Sequence, residues 1–471
     1  MGFSFVVFLL LFTLIGLSSV WRSRGTKEDY YLASGSVRPW LVGLSAVATN
    51  NSGYMFIGVI GYTYVTGLAS IWLMIGWIAG DFLASLYVHK RLLIATHKSG
   101  EISYAGVLSH WYGKNHASLQ RLIGIISLLF LLTYAAAQLV AGGKALHVLL
   151  GWPIWSGSVC GAVLVSLYCF SGGIRASIWT DAAQSIVMIV AMGMLLVVAL
   201  MNLGGVTPAV EKMQAVDGFM DWLPKDLVVP GFIGGALFIL SWLVAGLSVI
   251  GQPHIMVRFM TLDNVANMRQ AKAWYYLWFT LFYCMATGVG MLARVYLPDV
   301  ANFDAELALP TMAQQLLPPA FVGLILAGIF AATMSTADSL VLSCSAVLTH
   351  DMLPKKVENI WLLKIATILI TGVALLLALL NNQSVFNMVL MAWSGLASAF
   401  APLLIFLCLG KQPSQVVSIV AVICGFVVAL VWRELGLHSM VYEGMPGMLS
   451  GILIFSLFEI KKAYGKDLVK E

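Results

Sequence analysis

Long apolar runs recur from one end of the 471-residue chain to the other, and each is long enough to cross a bilayer as a helix. Apolar residues make up 60% of the sequence and charged residues only 10%, whereas a soluble domain carries about 25% charged residues. Backbone in lipid must satisfy its own hydrogen bonds, so these runs favour helices. The chain is therefore predicted to be an all-α integral membrane protein.

The apolar runs divide into about thirteen predicted spans. Their ranges are 2–21, 38–66, 69–95, 118–149, 153–174, 176–203, 229–253, 271–297, 316–350, 357–380, 386–409, 414–435 and 439–460. The first run has no basic segment before it and positive residues after it, which argues for a span with its N-terminus outside and against a cleaved signal peptide.

Positive residues concentrate in alternate loops, which orients the predicted spans. Gaps after even-numbered spans, such as 151–153 and 381–384, are short or poor in positive charge. Gaps after odd-numbered spans and their flanks carry His89, Lys90, Arg91, Lys98, Arg175, Arg258, Arg269, Lys355, Lys356, Lys411, Lys461 and Lys462. Positive charge marks the cytoplasmic side. We therefore expect a plasma (inner) membrane protein with its N-terminus outside and its C-terminus in the cytoplasm.

Several function classes receive no support from the sequence. The net charge of +5 is explained by this orientation, and there is no nucleic-acid patch. The segment "AGGKAL" around Lys144 lacks the first glycine and the final hydroxyl of a nucleotide-binding loop. Segments outside the predicted spans are too short to form an enzymatic domain. We expect no enzyme and no organic cofactor, and a function that lies within the bilayer.

A stripe of oxygen-bearing side chains lies inside the ninth predicted span. On a helix, Ala332, Ser335, Thr336 and Ser339 share one face, with Asp338 on its flank. Hydroxyl and carbonyl oxygens one turn apart suit a small hard cation. The alternative is that Ser and Thr bond their own helix backbone at a helix contact. A carboxylate is costly at this depth, and Asp338 therefore favours a cation site.

Two further segments place polar groups at bilayer depth. Residues 49–53 read Thr-Asn-Asn-Ser-Gly in the middle of the second span, which predicts an unwound turn whose free carbonyls bind a cation; the alternative is a kinked helix. In "SGGIRASIWTD", Asp181 enters the sixth span one turn or so after Arg175. An interfacial Asp181–Arg175 pair and a cation site are equally open readings.

The segments "SAVATNNSGYMFIG", "GGIRASIWTDAAQ", "GQPHIMVRFM" and "LAGIFAATMSTADSLVLSCSAVLTHDM" resemble, in order and spacing, the sodium:solute symporter family, closest to its sodium/proline branch. The resemblance covers nearly the whole chain. It implies a single transmembrane domain, 1–471, with a LeuT-type core of two inverted five-helix repeats, 38–203 and 229–409. Residues 1–37 would form an extra first helix and loop, and 410–471 two extra helices and a tail.

The resemblance also implies the residues of the site. A sodium site would use Ala48, Asn51, Ala332, Ser335 and Thr336; a second cation or proton site would use Asp181, Ser335, Asp338 and Ser339. The implied substrate residues are Asn50, Ser52, Gly53, Tyr54, Tyr134, Gln138, Trp242 and Trp393. Asn50, Tyr54 and Ala245 depart from the proline branch, which argues against proline itself and for another small amino acid or organic acid.

The resulting hypothesis is uptake of a small solute coupled to one or two Na⁺ ions, with solute and lipid as the partners. Two alternatives share the fold: proton-coupled symport, and a transporter-like sensor that signals through a separate partner. A channel is less favoured because the polar groups gather at one depth instead of lining a continuous pore.

Overall fold

The computed structural model describes residues 2–353, 357–380 and 384–467. Lys355, Lys356 and residues 381–383, which the orientation argument used, lie outside these ranges. The helices are α1 Gly2–Ser18, α2 Lys27–Leu32, α3 Pro39–Asn50, α4 Ile60–Thr66, α5 Ile71–Ser99, α6 Tyr104–His110, α7 Ala117–Leu150, α8 Ile154–Asn202, α9 Val206–Gln214, α10 Gly231–Leu247, α11 Pro253–Met260, α12 Met268–Tyr296, α13 Ala308–Leu316, α14 Pro319–Ala346, α15 Ile360–Leu380, α16 Val385–Cys408, α17 Gln415–Glu434 and α18 Gly444–Asp467. Short helical turns join several of them. The predicted all-α membrane fold is confirmed.

Ten helical segments within the described residues are long and apolar enough to cross a membrane, against about thirteen predicted spans. Three features account for the difference. Helix α1 is apolar but only 17 residues long, and the predicted second span is broken, so that its second half joins the third span as Tyr54–Ser99. The predicted fifth and sixth spans both lie within the 49-residue α8. The count of thirteen stays a prediction.

Helix α8 is interrupted at two consecutive glycines near the end of the predicted fifth span. Gly172 (φ −145°, ψ 15°) and Gly173 (φ 56°, ψ −138°) leave the helical region. A Cβ atom on Gly173 would lie 2.4 Å from the carbonyl oxygen of Tyr30. The positive φ and this close approach both favour glycine, so the break follows from the local sequence.

Helix α14 is the centre of the bundle, and nearly all its residues are buried. It packs against α1, α3, α7 and α8. Helix α16 is also deeply buried, whereas α15 and α17 expose many leucine, isoleucine and valine side chains. Such an exposed apolar surface suits contact with lipid. The polar stripe of α14 therefore faces protein on every side.

Three of the positive residues used in the orientation argument are buried in the protein instead of lying in exposed loops, and the orientation itself stays a prediction. His89, Arg175 and Arg258 lie inside the protein, with Arg258 fully buried. Arg258 belongs to α11, a short helix that packs against α3, α5 and α14 instead of leaving the bundle. Hydropathy locates spans but cannot distinguish a loop residue from one that folds back towards a buried carboxylate.

Candidate functional site

The predicted unwound turn in the second span is confirmed. Helix α3 ends at Asn50, and Asn51 adopts φ −86° and ψ 62° before π-helical turns over Tyr54–Val59. Two side chains of α7 satisfy polar groups at the break: the Gly53 backbone N–H donates to Gln138 Oε1 at 2.8 Å, and the Tyr134 hydroxyl hydrogen-bonds Ser52 Oγ at 3.1 Å. Irregular backbone at this depth is tolerated because it is buried in protein.

Four of the five predicted sodium ligands meet between α3 and α14. The Ser335 hydroxyl lies 3.0 Å from the Ala48 carbonyl oxygen and 3.1 Å from that of Ala332. The Thr336 hydroxyl donates to the carbonyl of Thr49 at 2.9 Å, a residue that the predicted set did not include. These oxygens form a compact, fully buried set of the hard type that suits Na⁺.

Asn51, the fifth predicted ligand, is at the break but makes different contacts. Its backbone N–H donates to the Val47 carbonyl at 2.8 Å. Its side-chain nitrogen is buried and has no hydrogen-bond partner among the described residues. Asn51 therefore lies at the same break as Ala48, but among the described residues it forms no hydrogen bond with Ser335 or Thr336.

At the predicted second cation site, the guanidinium group of Arg258 supplies a positive charge. Arg258 Nη2 lies 3.4 Å from Asp181 Oδ2 and 3.6 Å from Asp338 Oδ1, and all three side chains are buried. The same nitrogen donates to the hydroxyls of Ser177 and Ser339. The two carboxylates and Ser339 are thus together as predicted, while the role of Arg258 at their centre was missed.

Serine hydroxyls complete the surroundings of the two carboxylates. Ser45 donates to Asp181 Oδ2 at 2.6 Å, and Ser177 donates to Asp338 Oδ1 at 2.8 Å. The other oxygen of each carboxylate is buried without a partner among the described residues. One guanidinium against two ionised carboxylates leaves a net charge of −1, which favours an additional cation or proton at this cluster.

The alternative pairing of Asp181 with Arg175 is wrong. Arg175 instead forms a salt bridge with Asp29 and donates to the Ala33 carbonyl at 2.9 Å. Asp29 lies outside the spans, where burial opposes its ionisation, but hydrogen bonds from Arg175 and the Arg24 backbone outweigh this and lower the pKa of Asp29. Arg175 directly follows the glycine break in α8 and contacts Asp29 of α2, whereas Asp181 lies six residues further along α8.

Three of the four aromatic residues in the predicted substrate set contact Trp77, a residue that the prediction missed. The ring of Trp77 lies 5.6 Å from Tyr54, 5.3 Å from Trp393 and 6.3 Å from Trp242, measured between centroids. Trp393 is held in place by its Nε1–H, which donates to the Ala245 carbonyl at 2.8 Å. These distances are within the range of favourable aromatic contacts.

Two further aromatic side chains close a ring around this cluster. Phe386 lies 5.3 Å from both Tyr54 and Tyr62, and Tyr62 lies 5.6 Å from Trp242. Five structural elements contribute to this closed circuit: the π-helical turns, α4, α5, α10 and α16. A ring of π-faces from separate elements can open when the elements move, so it is suited to form a gate beside the unwound turn.

An ion-pair cluster, the Lys144–Glu306 clamp, connects α7 to the start of α16 next to Phe386. Lys144 Nζ donates to Glu306 Oε2 at 2.7 Å and to Asp304 Oδ2 at 3.0 Å. Glu306 also accepts from the backbone N–H groups of Val385 (3.2 Å) and Phe386 (2.9 Å) at the start of α16. A carboxylate at a helix N-terminus is favourable, and here it ties α7 to α16.

Asn50, a predicted substrate residue, hydrogen-bonds a second residue that the prediction missed, Asp81. Its side-chain nitrogen donates to Asp81 Oδ2 at 3.2 Å and to the hydroxyl of Tyr275. A usable signal was present in the sequence, because "AGDFLA" places a carboxylate inside an apolar span, and such residues are functional candidates by default.

The broken span, the hydroxyl stripe and the buried carboxylates together define a secondary transporter of the LeuT-type fold. A Na⁺-coupled sialic acid symporter of known structure has this fold, with a TM-score of 0.80 at 18% identity over 96% of this chain and 95% of that chain. Mhp1, a nucleobase-cation-symport-1 family transporter, matches with a TM-score of 0.61 at 15% identity over 91% and 94%.

The chain belongs to the sodium:solute symporter family, whose sequence profile matches residues 30–425. A high-affinity proline transporter of Bacillus subtilis is 30% identical, with 90% of each chain covered. The sodium/proline symporter of Escherichia coli is 29% identical over 96% of this chain and 92% of its own length. The chain is thus a multi-pass membrane protein that couples solute transport to Na⁺.

Proposed function

We propose that this protein takes up a small amino acid, or a closely related small organic acid, together with Na⁺. The observation that supports this proposal most directly is that hydroxyl groups of α14 contact backbone carbonyls at the break in the second span. Ser335 and Thr336 contact the carbonyls of Ala48 and Thr49 at 2.9–3.0 Å. Relatives named as proline transporters support an amino acid as the solute.

Na⁺ is inferred to bind first at Ala48, Asn51, Ala332, Ser335 and Thr336. In this role the two hydroxyls exchange their present backbone acceptors for the ion and present oxygen lone pairs to it. Since α3 and α14 each supply ligands, the bound ion draws the two helices together. This is the physical basis for coupling, because an ion can favour only a conformation in which it has better ligands.

The cluster of Asp181, Asp338, Ser335 and Ser339 is proposed to hold a second cation or a proton. Thr49 connects it to the first site, since its side chain hydrogen-bonds Ser339 at 3.0 Å while its carbonyl accepts from Thr336. Arg258 neutralises part of the carboxylate charge and thereby limits how strongly a second ion binds. Whether one or two Na⁺ ions move in each cycle depends on this balance.

The substrate is inferred to bind at the unwound turn through buried hydrogen-bond donors. Tyr54 OH, Gln138 Nε2 and Asn51 Nδ2 are buried without hydrogen-bond partners among the described residues. Buried polar groups are rarely unsatisfied. A carboxylate group of the solute would accept from them, and the aromatic rings of Tyr54, Trp77 and Trp393 would contact its apolar part.

Transport is proposed to alternate between two closures around this site, with 38–203 and 229–409 moving as inverted repeats. On the side assigned to the exterior, the Lys144–Glu306 clamp and the ring around Phe386 close the path. One Na⁺ entering down about 100 mV supplies roughly 2.3 kcal/mol, and a tenfold gradient adds about 1.4 kcal/mol. Together these support a solute gradient of several hundred-fold, on the order of 500.

The test is uptake into proteoliposomes of radiolabelled L-proline and a panel of small neutral amino acids, with an inward gradient of Na⁺ or choline. Thr336→Val removes the hydroxyl but keeps the side-chain shape. If the lost oxygen ligand is worth as much as a hydrogen bond to a charged group, about 1.5–3 kcal/mol, Na⁺ affinity should fall roughly 10- to 150-fold.

Thr333→Val is the matched control, because the Thr333 hydroxyl donates to its own helix at the Phe330 carbonyl, 3.0 Å away. It should transport with the affinity of the wild type. Equal uptake by the wild type in the Na⁺ and choline gradients would overturn the coupling of solute uptake to Na⁺. Equal Na⁺ affinity in Thr336→Val and the wild type would overturn the ion site alone.

A further inference from the structure

Asp81 is a buried carboxylate in a membrane span that the proposed sodium and substrate sites do not use. It is fully buried in α5. Its Oδ2 accepts from the Tyr275 hydroxyl at 2.6 Å and from Asn50 Nδ2 at 3.2 Å, and its Oδ1 accepts from the Tyr276 hydroxyl at 2.7 Å. All of these neighbours are uncharged, in contrast to the arginine that serves Asp181 and Asp338.

Charged groups on the surrounding elements are engaged elsewhere. Helices α3, α10 and α16, which pack around this part of the bundle, contain no Asp, Glu, Lys or Arg. On α12, Lys272 donates to the Ser85 carbonyl at 3.2 Å, one turn along α5 from Asp81. On α11, Arg258 lies between the other two carboxylates. Asp81 therefore forms no salt bridge with any of the described residues.

A line of buried polar side chains continues from Asp81 along α5. Ser85 and His89 follow at spacings of four residues, so the three share one helix face. His89 stacks on Phe259 with a centroid distance of 4.0 Å, and neither ring nitrogen has a hydrogen-bond partner among the described residues. The line runs from the unwound turn towards the end of α5 that carries Lys98.

The three donors to Asp81 come from two elements that need not move together with α5. Asn50 is the last residue of α3, directly before the break, while Tyr275 and Tyr276 belong to α12. A carboxylate that keeps these donors can remain ionised. A carboxylate that loses them in an apolar interior, with no counter-charge, is far more stable when protonated.

We propose that Asp81 is a proton-binding site of the transport cycle. It is ionised while Asn50 and the two tyrosines donate to it, and it takes a proton when movement of α3 withdraws Asn50. Ser85 and His89 provide the polar route by which the proton leaves along α5. The proposal rests on the alternating conformations of the proposed function, but the ligand and the residues are distinct from the sodium sites.

The ligand is a proton and not a third Na⁺ because every polar contact of Asp81 is a donated hydrogen. Sodium would need Asn50, Tyr275 and Tyr276 to turn oxygen lone pairs towards the ion, which would give up all three hydrogen bonds. Protonation adds a hydrogen to one carboxylate oxygen and leaves the other able to accept. The geometry therefore fits a site that alternates between acceptor and donor.

The experiment is infrared difference spectroscopy of the purified protein in lipid nanodiscs as the pH is lowered in NaCl or in choline chloride. The C=O band of a protonated carboxylic acid should grow on acidification, and the part contributed by Asp81 should be missing in Asp81→Asn. Tyr276→Phe removes one donor and should move the midpoint of that contribution to higher pH. A purely structural carboxylate would show no such movement.

The outcomes separate this proposal from the proposed function, because Na⁺-dependent thermal stabilisation is measured on the same samples. Equal spectra for the wild type and Asp81→Asn overturn the proton site, even if Na⁺ stabilises both. An Asp81 band that vanishes on adding Na⁺ at constant pH, with no response to acid, assigns the site to Na⁺ and also overturns it. A titrating band without any Na⁺ response supports the proton site and overturns Na⁺ coupling.

Discussion

Replacing Arg258 by methionine should strongly destabilise the protein, because this arginine is the counter-charge of two buried carboxylates. Its Nη2 lies 3.4 Å from Asp181 and 3.6 Å from Asp338 and also donates to two serines. Methionine fills much of the same volume but leaves both carboxylates uncompensated. Removing one partner of a buried ion pair costs about 3–5 kcal/mol, and we expect a loss of this size.

The assay is equilibrium unfolding of purified Arg258→Met, Asp338→Asn and the double variant in mixed micelles, with thermal unfolding as a second readout. Asp338→Asn removes one of the two uncompensated charges, so the double variant should be more stable than the sum of the single losses implies. The interaction energy should exceed about 1 kcal/mol, within the range for residues in direct contact. A loss below about 1 kcal/mol in Arg258→Met, or strict additivity, would refute the counter-charge role.

The same variant also tests the carboxylate cluster as a cation site. Without the guanidinium, Asp181 and Asp338 should attract Na⁺ more strongly, so NaCl should stabilise Arg258→Met more than it stabilises the wild type. Choline chloride at equal ionic strength is the control for screening. Equal stabilisation of both proteins by NaCl would show that these carboxylates do not bind the ion.

Three further perturbations test other parts of the structure. Gly173→Ala should lower stability by about 1–3 kcal/mol because its positive φ disfavours a Cβ, whereas Gly372→Ala, with open space around it, should not; equal thermal midpoints would contradict the break in α8. Glu306→Gln should cost about 1.5–3 kcal/mol through its lost charge-assisted bond to Lys144, and an unchanged unfolding midpoint would contradict the clamp. The pKa of Asp29 is lowered on folding, so its ionised form stabilises the protein above pH 3.8 and less as the pH falls through the folded pKa; the difference in thermal midpoint between the wild type and Asp29→Asn should shrink on acidification.

The local sequence was sufficient to predict the features that follow from the chemistry of a few neighbouring residues. The Asn-Asn-Ser-Gly break follows from poor helix formers in an apolar span, and the hydroxyl face of α14 follows from helical spacing. Both are correct in the structure. Gly172 and Gly173 interrupt one long helix, α8, and this break too follows from neighbouring residues.

Residues that depend on partners far apart in the chain were missed or assigned wrongly. Arg258 is 77 residues from Asp181 and 80 from Asp338 in sequence, and no local pattern shows that α11 folds inward to meet them. Trp77 and Phe386 join one circuit of aromatic side chains only when five elements pack together. Asp81 carried a signal, a lone carboxylate in an apolar span, whose partners were hidden in the same way.

The sequence by itself determined that this chain lies in a membrane, that its spans are helices, where one of them must unwind, and which oxygens share a face of α14. These properties depend on transfer free energy and on short-range backbone geometry, which neighbouring residues set. Only the tertiary structure decided which charges neutralise one another: Arg258 with Asp181 and Asp338, Arg175 with Asp29, and neutral donors alone with Asp81. In a low-dielectric interior these pairings are strong, and hydrogen-bonded contact between the partners is settled by which helices pack together.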